Sequence, residues 1–277
     1  MKKSDGVDLK SGDFRKARRY LHPKHYALTS RYSPPTDLIK ERDWDGLMVL
    51  PTTVLLESTS YTGSLVSRLY RLHSKWLDSI PQEGTAPYME EVALLACDEF
   101  DALVFNAAHG WYRQAIGCLR NALEMLTIAA ALSVTNNKPL YVQWRQAGKE
   151  IGFGQGRAWL RDSTLGQQVE ADAAPEAVFG DVATSWTKSR YRQLCAYAHS
   201  QSGYNNADFW ESNGPVYSRT ALEVVEREFR ATLALCYLLL RLGCHTYTPG
   251  PAQAHLLAGP QVGWTQYDGL LRKWLNV

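Results

Sequence analysis

The chain has 277 residues, 45% of them hydrophobic and 21% charged, with a net charge of +2. That profile excludes a disordered or collagen-like chain and supplies ample apolar material for a core. A charge so near neutrality names no polyanionic partner, and the longest apolar run, Ala231 to Leu240, is shorter than the ~20 residues that span a bilayer.

Five cysteines, Cys97, Cys118, Cys195, Cys236 and Cys244, form no CxxC pair, so neither a zinc ribbon nor a redox motif is visible. Their odd count and apolar settings predict reduced thiols in a cytoplasmic protein. Met-Lys-Lys-Ser-Asp-Gly at the start carries no apolar segment, so no secretory leader is expected.

Residues 1–25 hold eight lysines and arginines against three aspartates, a local +5 on a body of −3. Such an arm either meets phosphates or is a solvated terminus. Leu47 to Leu50 and Thr52 to Leu56 read as short strands or extended cover. Gly63 to Ile80 predicts an amphipathic helix with Leu65, Leu69, Leu72 and Trp76 on one face. Tyr88 to Ala108 places Met89, Ala93, Ala96, Phe100, Leu103 and Ala107 at alternating steps of four and three. Trp111 to Val134 repeats the pattern with Tyr112, Ile116, Leu119, Leu123, Leu126 and Ala130. With a break at Gly110, these two helices predict an antiparallel hairpin. Arg120 and Glu124 stand at i, i+4 on the shoulder of its buried face and can pair.

Residues 136–180 read as an insertion with a short helix or two. Gly148, Gly152, Gly154 and Gly156 fit neither a P-loop nor a dinucleotide fingerprint. A helix follows from about Ala183 to Ser200, then a polar loop from Gln201 to Val216, then a helix capped by Ser218 and ending near Gly243. The last carries a stripe of Leu222, Val225, Phe229, Leu233, Cys236 and Leu240. In the tail, Trp264, Leu271, Trp274 and Leu275 predict a short docking helix or a partner surface. The domain reading is a basic extension over 1–60, a helical domain over 61–243 with its core in 88–243, and a tail over 244–277.

The helix from Ala183 to Ser200 carries the chemistry. From Arg190 it reads Arg-Tyr-Arg-Gln-Leu-Cys-Ala-Tyr-Ala-His. Arg192 and His199 are seven residues apart, so at ~100° per residue they share a face, roughly 10 Å apart along the axis. Ala196 between them, with Cys195 nearby, predicts a notch for a phosphate or a partner helix. A permanent guanidinium beside an imidazole that titrates near neutrality suits phosphoryl chemistry. The same pair also fits a hydrogen-bonded structural role. Other signals are weaker. His22 and His25 form an HxxH pair without nearby ligands and read as surface. No nucleophile elbow exists. Asp98 and Asp101 read as solvated. Tyr204, Phe209, Trp210 and Tyr217 either stack bases or pin their loop.

Arg192, six intervening residues and His199 on the third core helix resemble the HEPN superfamily, the helical domains of prokaryotic toxins and antiviral nucleases, whose hallmark is Arg, four to six residues, then His. The chain also resembles HEPN-like proteins of bacterial defence settings in its helix around Cys118 to Glu124, its Tyr-x-His turn and its Asn213-Gly214-Pro215 loop. The resemblance covers roughly Tyr88 to Gly243. It departs from the pattern at Gln193, where the family often has Asn, Asp or His, and Arg190 is a rival for the arginine role.

The resemblance implies an all-α four-helix bundle, cytoplasmic and homodimeric, with the Arg–His helices of two protomers facing each other. It implies an endoribonuclease of a toxin or antiphage defence system that needs neither metal nor cofactor. His199 would be general acid or base, Arg192 would stabilise the phosphorane, and Glu124 or Arg120 would orient them. RNA, a second copy and a cognate antitoxin or defence partner are the implied partners, with no membrane. The alternative is an inactive HEPN-like module that binds a protein or nucleic acid. A third reading is a purely structural network of the same four residues.

Overall fold

A computed structural model describes residues 43, 45–81, 87–198, 215–244, 247, 250–257 and 265–277. Among them every regular element is helical, so the fold is all-α. A π-helical turn, Asp45–Val49, leads into α1, Leu50–Leu77. The strands or extended cover expected at Leu47 to Leu50 and Thr52 to Leu56 are therefore helical. The β-branched threonines of that stretch satisfy their hydroxyls on the helix itself: Thr52 and Thr53 each donate to the carbonyl four residues back, at 2.7 and 2.8 Å. Pro51 is tolerated in the first turn, where no intrahelical bond is lost. The helix kinks at Thr62 (φ −133°, ψ 31°), beside the predicted start at Gly63. The boundary drawn at residue 60 falls inside α1, whose Leu50 and Val54 belong to the core.

Leu65, Leu69, Leu72 and Trp76 are all buried. Trp76 donates to the Ala93 carbonyl at 3.0 Å and meets Phe100 edge-on. α2, Pro87–Ala108, and α3, Tyr112–Val134, form the predicted hairpin, and every residue of the two stripes is buried. Gly110 makes the turn with φ +82°, and a Cβ there would stand 2.4 Å from the Val216 carbonyl oxygen. Tyr112 ties the same corner to the last long helix, its hydroxyl accepting from the Ser218 amide at 2.8 Å.

α3 is the centre of the fold. It is long and apolar enough by composition to cross a membrane, yet α2, α5, α7 and α8 cover most of its surface. The predicted insertion contains three helices, α4, Lys138–Arg145, α5, Phe153–Asp162, and α6, Thr164–Ala173. It belongs to the core rather than lying outside it. Gly156, one of the glycines that fit no phosphate-binding motif, sits inside α5, where a Cβ would press to 3.2 Å from the Ile128 Cα of α3. Glycine permits that close approach.

α7, Trp186–Ala198, carries Arg190 and Arg192, and α8, Arg219–Gly243, closes the bundle. Ser218 caps α8 through the Ala221 amide, and the whole predicted stripe from Leu222 to Leu240 is buried. All five cysteines are free thiols. The tail docks through α9, Asp268–Leu275: Leu271 and Leu275 are buried, and Lys273 and Trp274 both donate to Asp172 of α6, at 2.7 and 2.9 Å. Trp264 lies outside the described residues.

Glu57 of α1 gives a pH-dependent stability. Its burial pushes the carboxyl from 4.5 up to about 7. The folded chain thus binds this proton more tightly than the unfolded chain does. The stabilisation is fully present below the unfolded value and is lost as pH rises through about 7. Glu57→Gln is expected to flatten that decline, with melting temperatures that converge on the parent's in acid and exceed them above neutrality. Thermal melts across the range check it.

Candidate functional site

α7 lies antiparallel on α3. Arg120 stands opposite Cys195, its Nε donating to Sγ at 3.3 Å, and Glu124 stands opposite Tyr191, whose hydroxyl donates to Oε2 at 3.0 Å. The same hydroxyl accepts from Arg120 Nη2 at 2.7 Å, and Arg120 and Glu124 approach to 3.4 Å. The predicted i, i+4 pair exists, and two residues of α7 complete it: Tyr191, which the sequence does not single out, and Cys195, expected there only as part of a notch. Tyr191 and Cys195 are themselves four apart on α7. Two i, i+4 pairs therefore zip two helices together, a signal present in the sequence but silent until the helices are paired.

Tyr191 is held from the other side by Phe153 of α5, its ring stacked at 3.9 Å and 5°. Burial pushes the tyrosine hydroxyl well above its ordinary range, and Glu124 adds to the shift, so it stays a neutral donor. Burial works to lower the Arg120 pKa, but its bonds to Cys195 and Tyr191 carry it above the ordinary value.

Arg192 is exposed and makes no hydrogen bond or ion pair with a described residue. Around the helix it stands about 60° from Cys195 and about 100° from Tyr191, so the four-residue network flanks its face. His199 lies outside the described residues. The notch expected at Ala196 and Cys195 is filled: Ala196 is 3% exposed and Cys195 receives Arg120.

Arg190, the rival arginine, faces inward. It is 5% exposed and its Nη1 meets Glu228 of α8 at 2.6 Å; Glu228 is 1% exposed. Gln193 Nε2 donates to Glu228 at 3.0 Å, and Arg227 reaches the same carboxylate at 3.2 Å. Burial lowers the Arg190 pKa while Glu228 opposes the shift. Gln193, the departure from the family pattern, thus turns toward Glu228. An arginine engaged this way is not available to a phosphate, which leaves Arg192 as the exposed guanidinium of the motif.

Other reactive side chains are held quiet. His73 Nε2 is 3.3 Å from Cys97 Sγ, but burial and the charges of the exposed Asp98 and Asp101 raise the thiol pKa, the reverse of an activated nucleophile. Burial and Glu99 push Cys118 up to about 12. Among the described residues no group of three or more His, Cys, Asp or Glu is placed to hold a metal ion. Tyr217 is buried, with its ring 5.8 Å from that of Tyr61, so it pins the start of α8. Residues 1–25, His22, His25, Tyr204, Phe209 and Trp210 lie outside the described residues.

Tyr191→Phe separates the parts of the network. It keeps the stack on Phe153 and removes the hydroxyl shared by Glu124 and Arg120. A loss of about 1.5–3 kcal/mol is expected in urea unfolding, the size of a hydrogen bond to charged groups. An unchanged midpoint would show that the network contributes nothing to stability.

Searches against protein-family models, curated proteins and solved structures find no match to this chain.

Proposed function

We propose that the chain is a metal-independent endoribonuclease of a bacterial toxin or antiphage defence system, built on a HEPN-like helical domain and active in the cytoplasm as a homodimer. The observation that carries the reading is Arg192: an exposed guanidinium without a described partner, on a helix whose neighbouring face is fixed to α3 by Arg120, Glu124, Tyr191 and Cys195. In this reading the ribose 2′-hydroxyl attacks the adjacent phosphate. His199 of one protomer takes its proton, and the partner's copy of the imidazole returns a proton to the departing 5′-oxygen, leaving a 2′,3′-cyclic phosphate. Arg192 stabilises the dianionic phosphorane through its planar fork. Arg120 and Glu124 act from the adjoining face. A cognate antitoxin or a defence-system partner would control such an enzyme.

A second reading has its own observation. Arg120 and Glu124 are engaged mainly with α7 rather than with solvent, which suits a rigid, non-catalytic module that binds a protein or nucleic-acid partner. Incubating the purified protein with total RNA in EDTA separates the two. Fragments ending in cyclic phosphate support the nuclease, and intact RNA leaves the module.

A further inference from the structure

α1 and α2 present an apolar and acidic seam to the outside. The two helices run antiparallel: Trp76 donates to the Ala93 carbonyl, and His73 lies 3.3 Å from Cys97 across the seam. Tyr70 and Leu77 stand three residues before and four after His73; Leu94 and Asp101 stand three before and four after Cys97. Those steps set all four on the outer side of the seam, away from the buried Leu72, Trp76, Ala96 and Phe100. Phe105 follows Asp101 one turn further on. Tyr70, Leu77, Leu94 and Phe105 are each 50–60% exposed, so four large apolar side chains share one open surface. α2 carries five carboxylates and no lysine or arginine. Tyr141 and Arg145 engage Glu91, and Asn121 donates to Glu99 at 3.5 Å. Asp98 and Asp101 are exposed and make no hydrogen bond or ion pair with a described residue. The cations of α1 turn elsewhere. Arg71 and Lys75 are each two residues from His73, about 160° around the helix from the seam, and Arg68 reaches Glu226 of α8 at 3.5 Å.

Charge selects the occupant. A symmetric contact with a second copy would bring the two sets of Asp98 and Asp101 together, and a nucleic acid or an anionic lipid surface meets the same repulsion. A basic segment with apolar anchors fits, and residues 1–25 have that chemistry: a net charge of +5, with Phe14, Tyr20 and Leu21 among Arg15, Lys16, Arg18 and Arg19. The twenty residues from position 25 to Asp45 span at most about 66 Å. α1, at 28 residues, is about 42 Å long. The tether therefore reaches the whole seam, and it gives the segment an effective concentration that a separate partner must exceed. We propose that the basic N-terminal segment, residues 1–25, docks on this face of α1 and α2 within one chain. Its lysines and arginines meet Asp98 and Asp101, and its aromatic and aliphatic side chains pack on Tyr70, Leu77, Leu94 and Phe105. Docked there, its cations are held by the body instead of being offered to phosphates. The docking stands or falls independently of RNA cleavage.

The test uses the full chain and trypsin, which cuts after Arg15, Lys16, Arg18 and Arg19. Cleavage there follows the undocked fraction, so the parent is expected to be cut slowly at low salt and faster as salt rises. Leu94→Ser with Phe105→Ser is expected to speed these cuts about tenfold or more at low salt, through loss of the apolar contact. Asp98→Asn with Asp101→Asn is expected to speed them as well and to remove most of the salt dependence seen in the parent. All four positions are exposed, so melting temperatures are expected to hold. The parent's cutting rate is expected not to change with protein concentration, because the contact is intramolecular. Cutting at the parent's rate by either pair overturns the docking and leaves the face to a separate basic partner. Protection that disappears on dilution assigns the segment to a second copy and overturns docking within one chain.

Discussion

His199→Ala is expected to lower RNA cleavage by about 10²–10⁴-fold, the range that a positioned proton-transfer group supplies. Arg192→Lys is expected to lose most activity as well, because an ammonium keeps the charge but not the two parallel N–H bonds of the fork. Both variants should fold. Arg192 is exposed and makes no bond with a described residue that its loss would strand. Cleavage rate and melting temperature on the same preparations decide the matter. Unimpaired cleavage by either variant removes that residue from the mechanism. A His199→Ala protein that melts early assigns the imidazole a structural role, with about 1–3 kcal/mol lost where a buried partner is left unpaired.

Glu228→Ala is expected to be the most destabilising substitution in the region, at about 3–5 kcal/mol. Glu228 is buried, and its carboxylate is shared by Arg190, Gln193 and Arg227. Truncating it strands Arg190, whose Nε already lacks a partner. A buried guanidinium without a counter-ion costs more than the pair contributes, so the cause can be separated from the size of the effect. Replacing both partners with apolar residues, Arg190→Met with Glu228→Leu, is expected to recover most of the loss. Urea unfolding of the parent, the single and the double variant checks both steps. A double variant as weak as the single one would show that the loss comes from packing, not from an uncompensated charge.

Most of the long helices were legible because their apolar residues repeat at three and four, and the burial of each predicted stripe follows from that spacing. The N-terminal half of α1 was not, since Pro51 and the threonines around it speak locally for extension. Only the full helix shows their hydroxyls bonded to its own carbonyls. The segment from residue 136 to 180 holds three helices where its sequence reads as one or two. A glycine signals a break in the sequence, whereas Gly156 serves contact with a neighbouring helix.

The candidate site divides along the same line. The sequence by itself determined the pairing of Arg120 with Glu124 and the Ser218 cap, because each rests on spacing within or at the end of one helix. Only the tertiary structure decided that Arg190 is sealed against Glu228, that Tyr191 and Cys195 complete the Arg120–Glu124 network, and that the notch at Ala196 is filled. Those facts depend on the rotation and register of α7 against α3 and α8. That register is set by burial summed over all three helices, and no single helix carries it in its own sequence.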